Sequence, residues 1–252
     1  MGKSYELLVI GGGPGGYTAA LEAARAGKRT ALIEADFLGG TCLNRGCIPS
    51  KTLLKHSEVI ELINAAKEWG IETDSVTFSF DKMKKRKDEV IERLRTGISF
   101  LMKQGKIDVY KGFGYISKDG TVSIEMEDRV EIAAAEKIII ATGSTPSVPP
   151  IPGLDTVQYD TSDTIFDLPS IPDSMVIVGG GVIGVEIACI FSSLNSQVTI
   201  VEAAERLVPA EDPEVSAFLR KVMRQKGIEV LTGANVEKVS GSNGKKIVVC
   251  KD

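Results

Sequence analysis

At 252 residues, with 43% hydrophobic and 25% charged side chains, the chain can bury the core of one large domain or two of ordinary size. A net charge of -4 without a long basic block argues against a nucleic-acid or anionic-membrane partner. No apolar run is long enough to span a bilayer, and four cysteines in so long a chain do not make a disulfide scaffold.

The strand-like run Tyr5 to Ile10 starts so close to Met1 that no leader is expected before it, and Glu6 stands where a myristoylation signal needs Ser or Thr. The expected location is the cytoplasm or an organelle matrix. In such a reducing compartment a close cysteine pair points to catalysis or metal binding rather than to a structural bridge.

The run Tyr5 to Ile10 flows into Gly11-Gly12-Gly13-Pro14-Gly15-Gly16 and then Tyr17 to Ala24, which reads as strand, tight glycine turn and helix. Gly11, Gly13 and Gly16 satisfy G-x-G-x-x-G: the first permits the turn, the second lets backbone approach a pyrophosphate, and the third allows close helix-to-strand packing. The helix N-terminus then offers orphan N–H groups and the positive end of its dipole to phosphate. Arg29 to Glu34 reads as the next strand, ending in an acid where a ribose hydroxyl would be held.

Gly40-Thr41-Cys42-Leu43-Asn44-Arg45-Gly46-Cys47-Ile48-Pro49-Ser50-Lys51 follows, a loop with two thiols at the entrance to a helix expected from about Pro49 to Lys67. His56, the single histidine, lies on that helix and reads as a surface or packing residue. Asp81 to Lys106 predicts a long amphipathic helix, with Val90, Ile91, Leu94, Ile98, Leu101 and Met102 on one face. Its basic run, Lys82 to Lys87, sits beside Asp81, Asp88 and Glu89 and reads as a solvated face.

The period then changes. Strands are expected at Asp108 to Ile116, Thr121 to Met126, Arg129 to Ile132 and Glu136 to Ala141, with turns at Asp119-Gly120 and Asp128. The last runs into Thr142-Gly143-Ser144-Thr145-Pro146, and the proline-rich stretch Pro146 to Pro152 is the expected domain boundary.

Beyond it the opening pattern returns. Met175 to Val178 leads into Gly179-Gly180-Gly181-Val182-Ile183-Gly184, a helix follows, and Gln197 to Val201 ends in Glu202. Gly11 to Glu34 spans 23 positions, and so does Gly179 to Glu202. Two matched βαβ units predict two nucleotide-binding domains in tandem. A carboxylate at Glu202 favours NAD over NADP, because it would accept from a 2′-hydroxyl and repel a 2′-phosphate; Arg206 lies nearby. A helix from Pro213 to Lys226 and strands near 228–231, 236–239 and 246–249 complete the chain, which stops at Asp252 within an expected hairpin. Cys189 and Cys250 fall in apolar patterns and read as structural.

Gly11 to Gly16, Cys42 to Lys51, Ala141 to Ser144 and Gly179 to Glu186 together resemble the flavin-dependent pyridine nucleotide-disulfide oxidoreductases. The wording Gly39 to Lys51 is most similar to the members that act on dihydrolipoamide. Glu202 and Val182 point away from the glutathione-reducing members, which favour NADPH and commonly have tyrosine at the latter position. Mercuric reductases usually add a C-terminal cysteine pair.

The resemblance implies an α/β fold of two tandem Rossmann-like domains, each with a parallel sheet and a small antiparallel β insertion: an FAD domain over 1–148 carrying the redox disulfide, and an incomplete NAD domain over 149–252. FAD would be held by Gly11, Gly13, Pro14, Gly15, Gly16, Glu34, Gly40, Thr41, Lys51, Gly114, Ala141, Thr142, Gly143 and Ser144. NAD would be held by Gly179, Gly181, Val182, Ile183, Gly184 and Glu202. Cys42 would exchange with dihydrolipoamide and Cys47 would face the flavin, with Lys51, paired to Glu186, near its reactive edge.

The chemistry is consistent with those roles. Thiolate is the reactive form, and a helix N-terminus with a nearby lysine favours thiolate. A five-residue offset at a helix entrance can bring two Cα atoms within bridging distance. A zinc site would need a second Cys-x-x-Cys or a histidine cluster, which the chain does not offer. The resemblance further implies a homodimer for the full-length enzyme. Its members carry a C-terminal domain whose His-Glu pair is the acid-base catalyst, so the chain is expected to be an N-terminal portion with little turnover of its own.

Overall fold

The computed structural model describes residues 3–72, 76–242 and 245–251. Met1, Gly2 and Asp252, on which the readings of the two ends rest in part, lie outside the described residues. The chain forms two compact units, Met1–Pro49 with Lys87–Thr145 and Ser50–Arg86 with Pro146–Asp252.

In the first unit, β1 (Lys3–Ile10), α1 (Pro14–Arg25) and β2 (Thr30–Glu34) make the opening βαβ arm. A short α2 (Gly40–Asn44) and the start of α3 (Cys47–Ala65) follow, and α4 (Phe80–Gln104) returns the chain to β3 (Asp108–Lys111), β4 (Phe113–Ile116), β5 (Val122–Glu125) and β6 (Val130–Ile140). The sheet order is β3-β2-β1-β6-β5-β4. The pairs among β3, β2, β1 and β6 are parallel, while β6-β5 and β5-β4 are antiparallel.

This parallel core explains why β1 reads as one apolar run instead of alternating: both of its faces are covered. Val9 and Leu32 pack with Ala20 of α1 and Ile91, Ile98 and Met102 of α4. Leu8, Ile10, Ala31 and Ile33 face the other way, against Tyr110, Val122, Ile124 and Ala133. Period-two alternation thus divides one apolar run between two cores.

Two expected strand boundaries move. The run 108–116 breaks at Gly112, where a Cβ would lie 2.3 Å from the Glu125 carbonyl oxygen. The expected strands at 129–132 and 136–141 are one, because β6 serves two neighbours: Val130 to Ala133 pair with β5, and Ala133 to Ile140 pair with β1.

In the second unit, β7 (Ser174–Val178), α5 (Val182–Ser193), β8 (Gln197–Glu202), α6 (Pro213–Gln225) and β9 (Glu229–Thr232) build a parallel sheet of order β7-β8-β9. An antiparallel hairpin, β10 (Asn235–Ser242) with β11 (Lys245–Lys251), stands apart from that sheet. Residues 50–86, which precede the proline-rich stretch in the chain, pack in this second unit. Leu53, Ile60, Phe80 and Met83 share a buried cluster with Ile190, Phe191 and Met223. The basic run is not wholly solvated, since Lys87 is only 3% exposed and pairs with Asp88 at 2.9 Å.

Core and surface positions should respond differently to truncation. Phe191→Ala should destabilise the protein by about 3–5 kcal/mol, whereas Phe218→Ala, 68% exposed, should stay within about 0.5 kcal/mol, both read by urea titration. A pH dependence follows from Asp108, which the Tyr5 hydroxyl, donating at 2.6 Å, holds below the usual carboxylate range. A depressed folded-state pKa contributes stability that is present above the unfolded value of about 3.9 and lost as pH falls through the folded one. Asp108→Asn should therefore flatten the acid limb of a melting-temperature profile.

Candidate dinucleotide and thiol site

At the C-terminal end of β1 the chain turns at Gly11, whose φ of +105° is open only to glycine at low cost. A Cβ there would lie 2.2 Å from the Ala141 carbonyl oxygen, just past β6. Ala141 N–H in turn donates to the Ile10 carbonyl at 2.7 Å. The parallel order reverses between β1 and β6, so this is the topological switch point, where open α/β sheets bind ligands. Gly16, buried on α1, closes the turn from behind, since a Cβ on it would sit 1.8 Å from the Gly11 oxygen.

Gly13 is the N-cap of α1 and Pro14 its first residue. No side chain caps this end, and a Cβ on Gly15 would meet no atom within 4 Å. The first turn therefore begins without a side-chain cap and with room beside Gly15. Glu34, at the end of β2, accepts from Gly12 N–H at 2.6 Å through Oε2 and from Asp36 N–H at 2.8 Å through Oε1. Those two bonds leave acceptor capacity on each oxygen for a ribose hydroxyl.

The thiol segment meets this turn through close backbone contacts. Gly39 N–H donates to the Gly12 carbonyl at 2.8 Å, and a Cβ on Gly40, at φ +60°, would lie 2.6 Å from the Gly13 Cα. Thr41 and half-buried Cys42 follow on α2, a helical turn where a loop was expected. The chain doubles back so that a Cβ on Gly46 would sit 3.4 Å from the Cys42 Cα. Cys47, exposed, then begins α3. Gly114 packs over Ile10 and Ile33, and Thr142, Gly143 (φ +73°) and Ser144 continue from the switch point.

The second unit repeats the joint. Gly179 has φ +111°, and a Cβ on Gly184 would sit 2.1 Å from its oxygen. Gly181 N-caps α5 without a side-chain cap, and Val182 and Ile183, the first residues of that helix, are both exposed. Glu202 accepts from Gly180 N–H at 2.6 Å and Ala204 N–H at 2.7 Å, the same two bonds as Glu34. By contrast α6, away from either glycine turn, is capped by the Asp212 carboxylate, which accepts from Glu214 N–H at 2.8 Å.

Lys51 also lies in this unit, and its Nζ donates to Glu186 Oε1, joining α3 to α5. Each unit thus gathers its own share of the expected residues: the first holds Gly11 to Gly16, Glu34, Gly40 to Cys47, Gly114 and Ala141 to Ser144, and the second holds Lys51, Glu186, Gly179 to Gly184 and Glu202. His56 Nδ1 lies 2.8 Å from the Thr52 carbonyl oxygen of its own helix.

Several contacts around the thiols were not foreseen from sequence. Asn44 donates through Nδ2 to the carbonyls of Gly40 at 2.9 Å and Leu38 at 3.2 Å, and accepts from Arg95 Nε of α4 at 2.5 Å. Arg45 pairs with Asp36. Arg95 stands among the many charged residues of α4, and nothing in that local pattern marks it as a partner of Asn44.

Comparison with known proteins agrees with this architecture. The family model for pyridine nucleotide-disulphide oxidoreductases matches residues 5–252, and the chain belongs to that family. It is 42% identical over 244 residues to a dihydrolipoyl dehydrogenase of Acholeplasma laidlawii, covering 95% of this chain and 71% of the relative. A dihydrolipoyl dehydrogenase of Bacillus subtilis (strain 168) is 42% identical over 245 residues, covering 94% of this chain and 52% of the relative. A solved structure, the Cu(II) complex of the HOCl-induced flavoprotein disulfide reductase RclA from Escherichia coli, superposes with a TM-score of 0.83 at 34% identity, covering 99% of this chain and 53% of that one. The chain thus spans about half the length of the last two. Enzymes of this family use FAD and NAD(H).

Among the described residues no group of three His, Cys, Asp or Glu side chains could hold a metal ion, and no helix is long and apolar enough to cross a membrane. Burial pushes the half-buried Cys189 thiol above its ordinary range, and its Sγ contacts Met223 Sδ at 3.7 Å. Alkylation of the reduced protein with iodoacetamide at neutral pH should therefore modify exposed Cys47 well before Cys189, as read by peptide mass spectrometry.

Proposed function

We propose that this chain is the FAD- and NAD-binding, disulfide-bearing part of a flavoprotein that oxidises dihydrolipoamide. The observation that carries the reading is the contrast in helix caps. The two helices that follow glycine fingerprints, α1 and α5, have bare glycine N-caps, whereas α6 has a side-chain cap. Two uncapped helix N-termini, each beside a carboxylate at a strand end, fit two pyrophosphates and two riboses.

On this reading Gly13, Pro14, Gly15 and Gly16 hold the FAD pyrophosphate, Glu34 its adenosine ribose, and Gly40, Thr41, Lys51, Gly114 and Ala141 to Ser144 its remainder. Gly179, Gly181, Val182, Ile183, Gly184 and Glu202 hold NAD. Arg206 donates to the Pro209 carbonyl at 2.8 Å, and Glu202 at the end of β8 would select a 2′-hydroxyl.

When bound, FAD would supply a two-electron acceptor and NAD a hydride acceptor. The chain's own thiols do the exchange. A thiolate of dihydrolipoamide attacks the Cys42 sulfur, the Cys42–Cys47 bond breaks, and the electron pair leaves on Cys47. The second substrate thiol then displaces Cys42, so the substrate dithiol becomes a disulfide and the protein disulfide a dithiol, with both protons retained on thiols or released to solvent. Glu186 holds Lys51 through the bond from its Nζ. The substrate would be a lipoyl group on a carrier protein, the full-length enzyme a homodimer, and the compartment cytoplasmic or an organelle matrix.

A second reading is nucleotide binding without turnover. It is favoured by the position of His56, the single histidine, which lies on α3 outside the Cys42–Cys47 segment and both glycine turns.

The test is to mix FAD-loaded protein with dihydrolipoamide without oxygen and follow flavin absorbance. The expected result is bleaching that Cys42→Ser reduces to the rate of reagent alone. A colourless protein that takes up no FAD, or bleaching that is indifferent to Cys42→Ser, would overturn the proposal.

A further inference from the structure

Asn44 lies between the two cysteines and uses its whole amide. Its Nδ2 donates to the Gly40 carbonyl at 2.9 Å and the Leu38 carbonyl at 3.2 Å, while its Oδ1 accepts from Arg95 Nε at 2.5 Å. Arg95 is itself held on α4. Its guanidinium carbon sits 3.8 Å from the centroid of the Phe37 ring, and its NH1 lies 3.7 Å from Glu92 Oε2. Its side chain is only 24% exposed.

The bonds close the stretch Leu38 to Asn44 around Cys42. Leu38 and Gly40 stand before Cys42, Asn44 follows it, and Gly46 returns to the Cys42 backbone, so α2 is closed on itself by one side chain. The orientation of that side chain is fixed by Arg95. A guanidinium can only donate, so it selects the amide oxygen and leaves the amide N–H groups for the carbonyls.

We infer that Arg95, acting through Asn44, is a positioning residue for the Cys42–Cys47 loop and thereby sets how readily the pair closes as a disulfide. The inference rests on the redox reading of the pair. Closing a disulfide requires two thiols to be held at high effective concentration, and a loop freed of its internal bonds holds them at a lower one. Loosening the network therefore favours the open dithiol.

The test equilibrates the purified chain in buffers of reduced and oxidised glutathione, quenches with acid and counts the Cys42 and Cys47 thiols by mass spectrometry. The reaction balances as dithiol plus oxidised glutathione giving disulfide plus two reduced glutathiones. Arg95→Met keeps an aliphatic stem over Phe37 and removes the donor. Asn44→Asp keeps an acceptor for Arg95 and sets oxygen against the Leu38 and Gly40 carbonyls.

Each variant should lower the equilibrium constant for disulfide formation about tenfold, equivalent to a reduction potential about 30 mV less negative. Arg95→Lys, which keeps the charge and part of the stem, should fall between wild type and Arg95→Met. The pair provides two independent readings should one variant fold poorly, and far-UV circular dichroism and melting temperature identify that case. If wild type forms the disulfide reversibly and the folded variants match it within about twofold, the positioning role is wrong while the redox reading stands. If wild type forms no reversible Cys42–Cys47 disulfide, both fall.

Discussion

A carboxylate at the end of one strand, bonded to the glycine turn at the end of its neighbour, is the joint on which each unit depends. Glu34 reaches Gly12 and Asp36, and Glu202 reaches Gly180 and Ala204, in each case through two backbone N–H donors. Hydrogen bonds to a charged group contribute about 1.5–3 kcal/mol each, enough to hold a turn that would otherwise have unmet donors. The joint fixes where the following helix begins and leaves its first turn uncapped. Phosphate binding is the role that such a bare helix end is suited to.

Around that shared joint the units differ in what lies beside it. In the first, Gly11 abuts Ala141 at the end of β6, and Gly13 abuts Gly40 at the start of the thiol segment. In the second, a Cβ on Gly179 or Gly181 would meet no atom within 4 Å, and among the described residues no parallel strand lies on the free side of β7. The consequence is visible in exposure: Leu8 and Ile10 of β1 are buried, while Val176 and Val178 of β7 are 44% and 50% exposed. The first unit therefore has the thiol segment set against its glycine turn, and the second has only the turn.

Much of this was legible in sequence because it depends on residue types with few alternatives. Glycines at a fixed offset from an acid mark the joint, and the 23-position spacing, repeated, marks its duplication. The long amphipathic helix was legible from its period. What remained hidden depends on contacts between distant segments. Residues 50–86 join the second unit because Leu53, Ile60, Phe80 and Met83 find Phe191, a choice no local pattern encodes. The merging of two expected strands into β6 reflects its two neighbours rather than its composition. The role of Arg95 is likewise invisible in a helix rich in charge, since only its meeting with Asn44 and Phe37 distinguishes it.

The central claim, that the same joint is built twice to hold two dinucleotides, is tested most directly by calorimetric titration of the chain with FAD and then with NAD. The account predicts a single site for each, with Gly15→Ala abolishing only the first and Gly181→Ala only the second. Binding of just one dinucleotide, or the loss of both on either substitution in a folded protein, would contradict it.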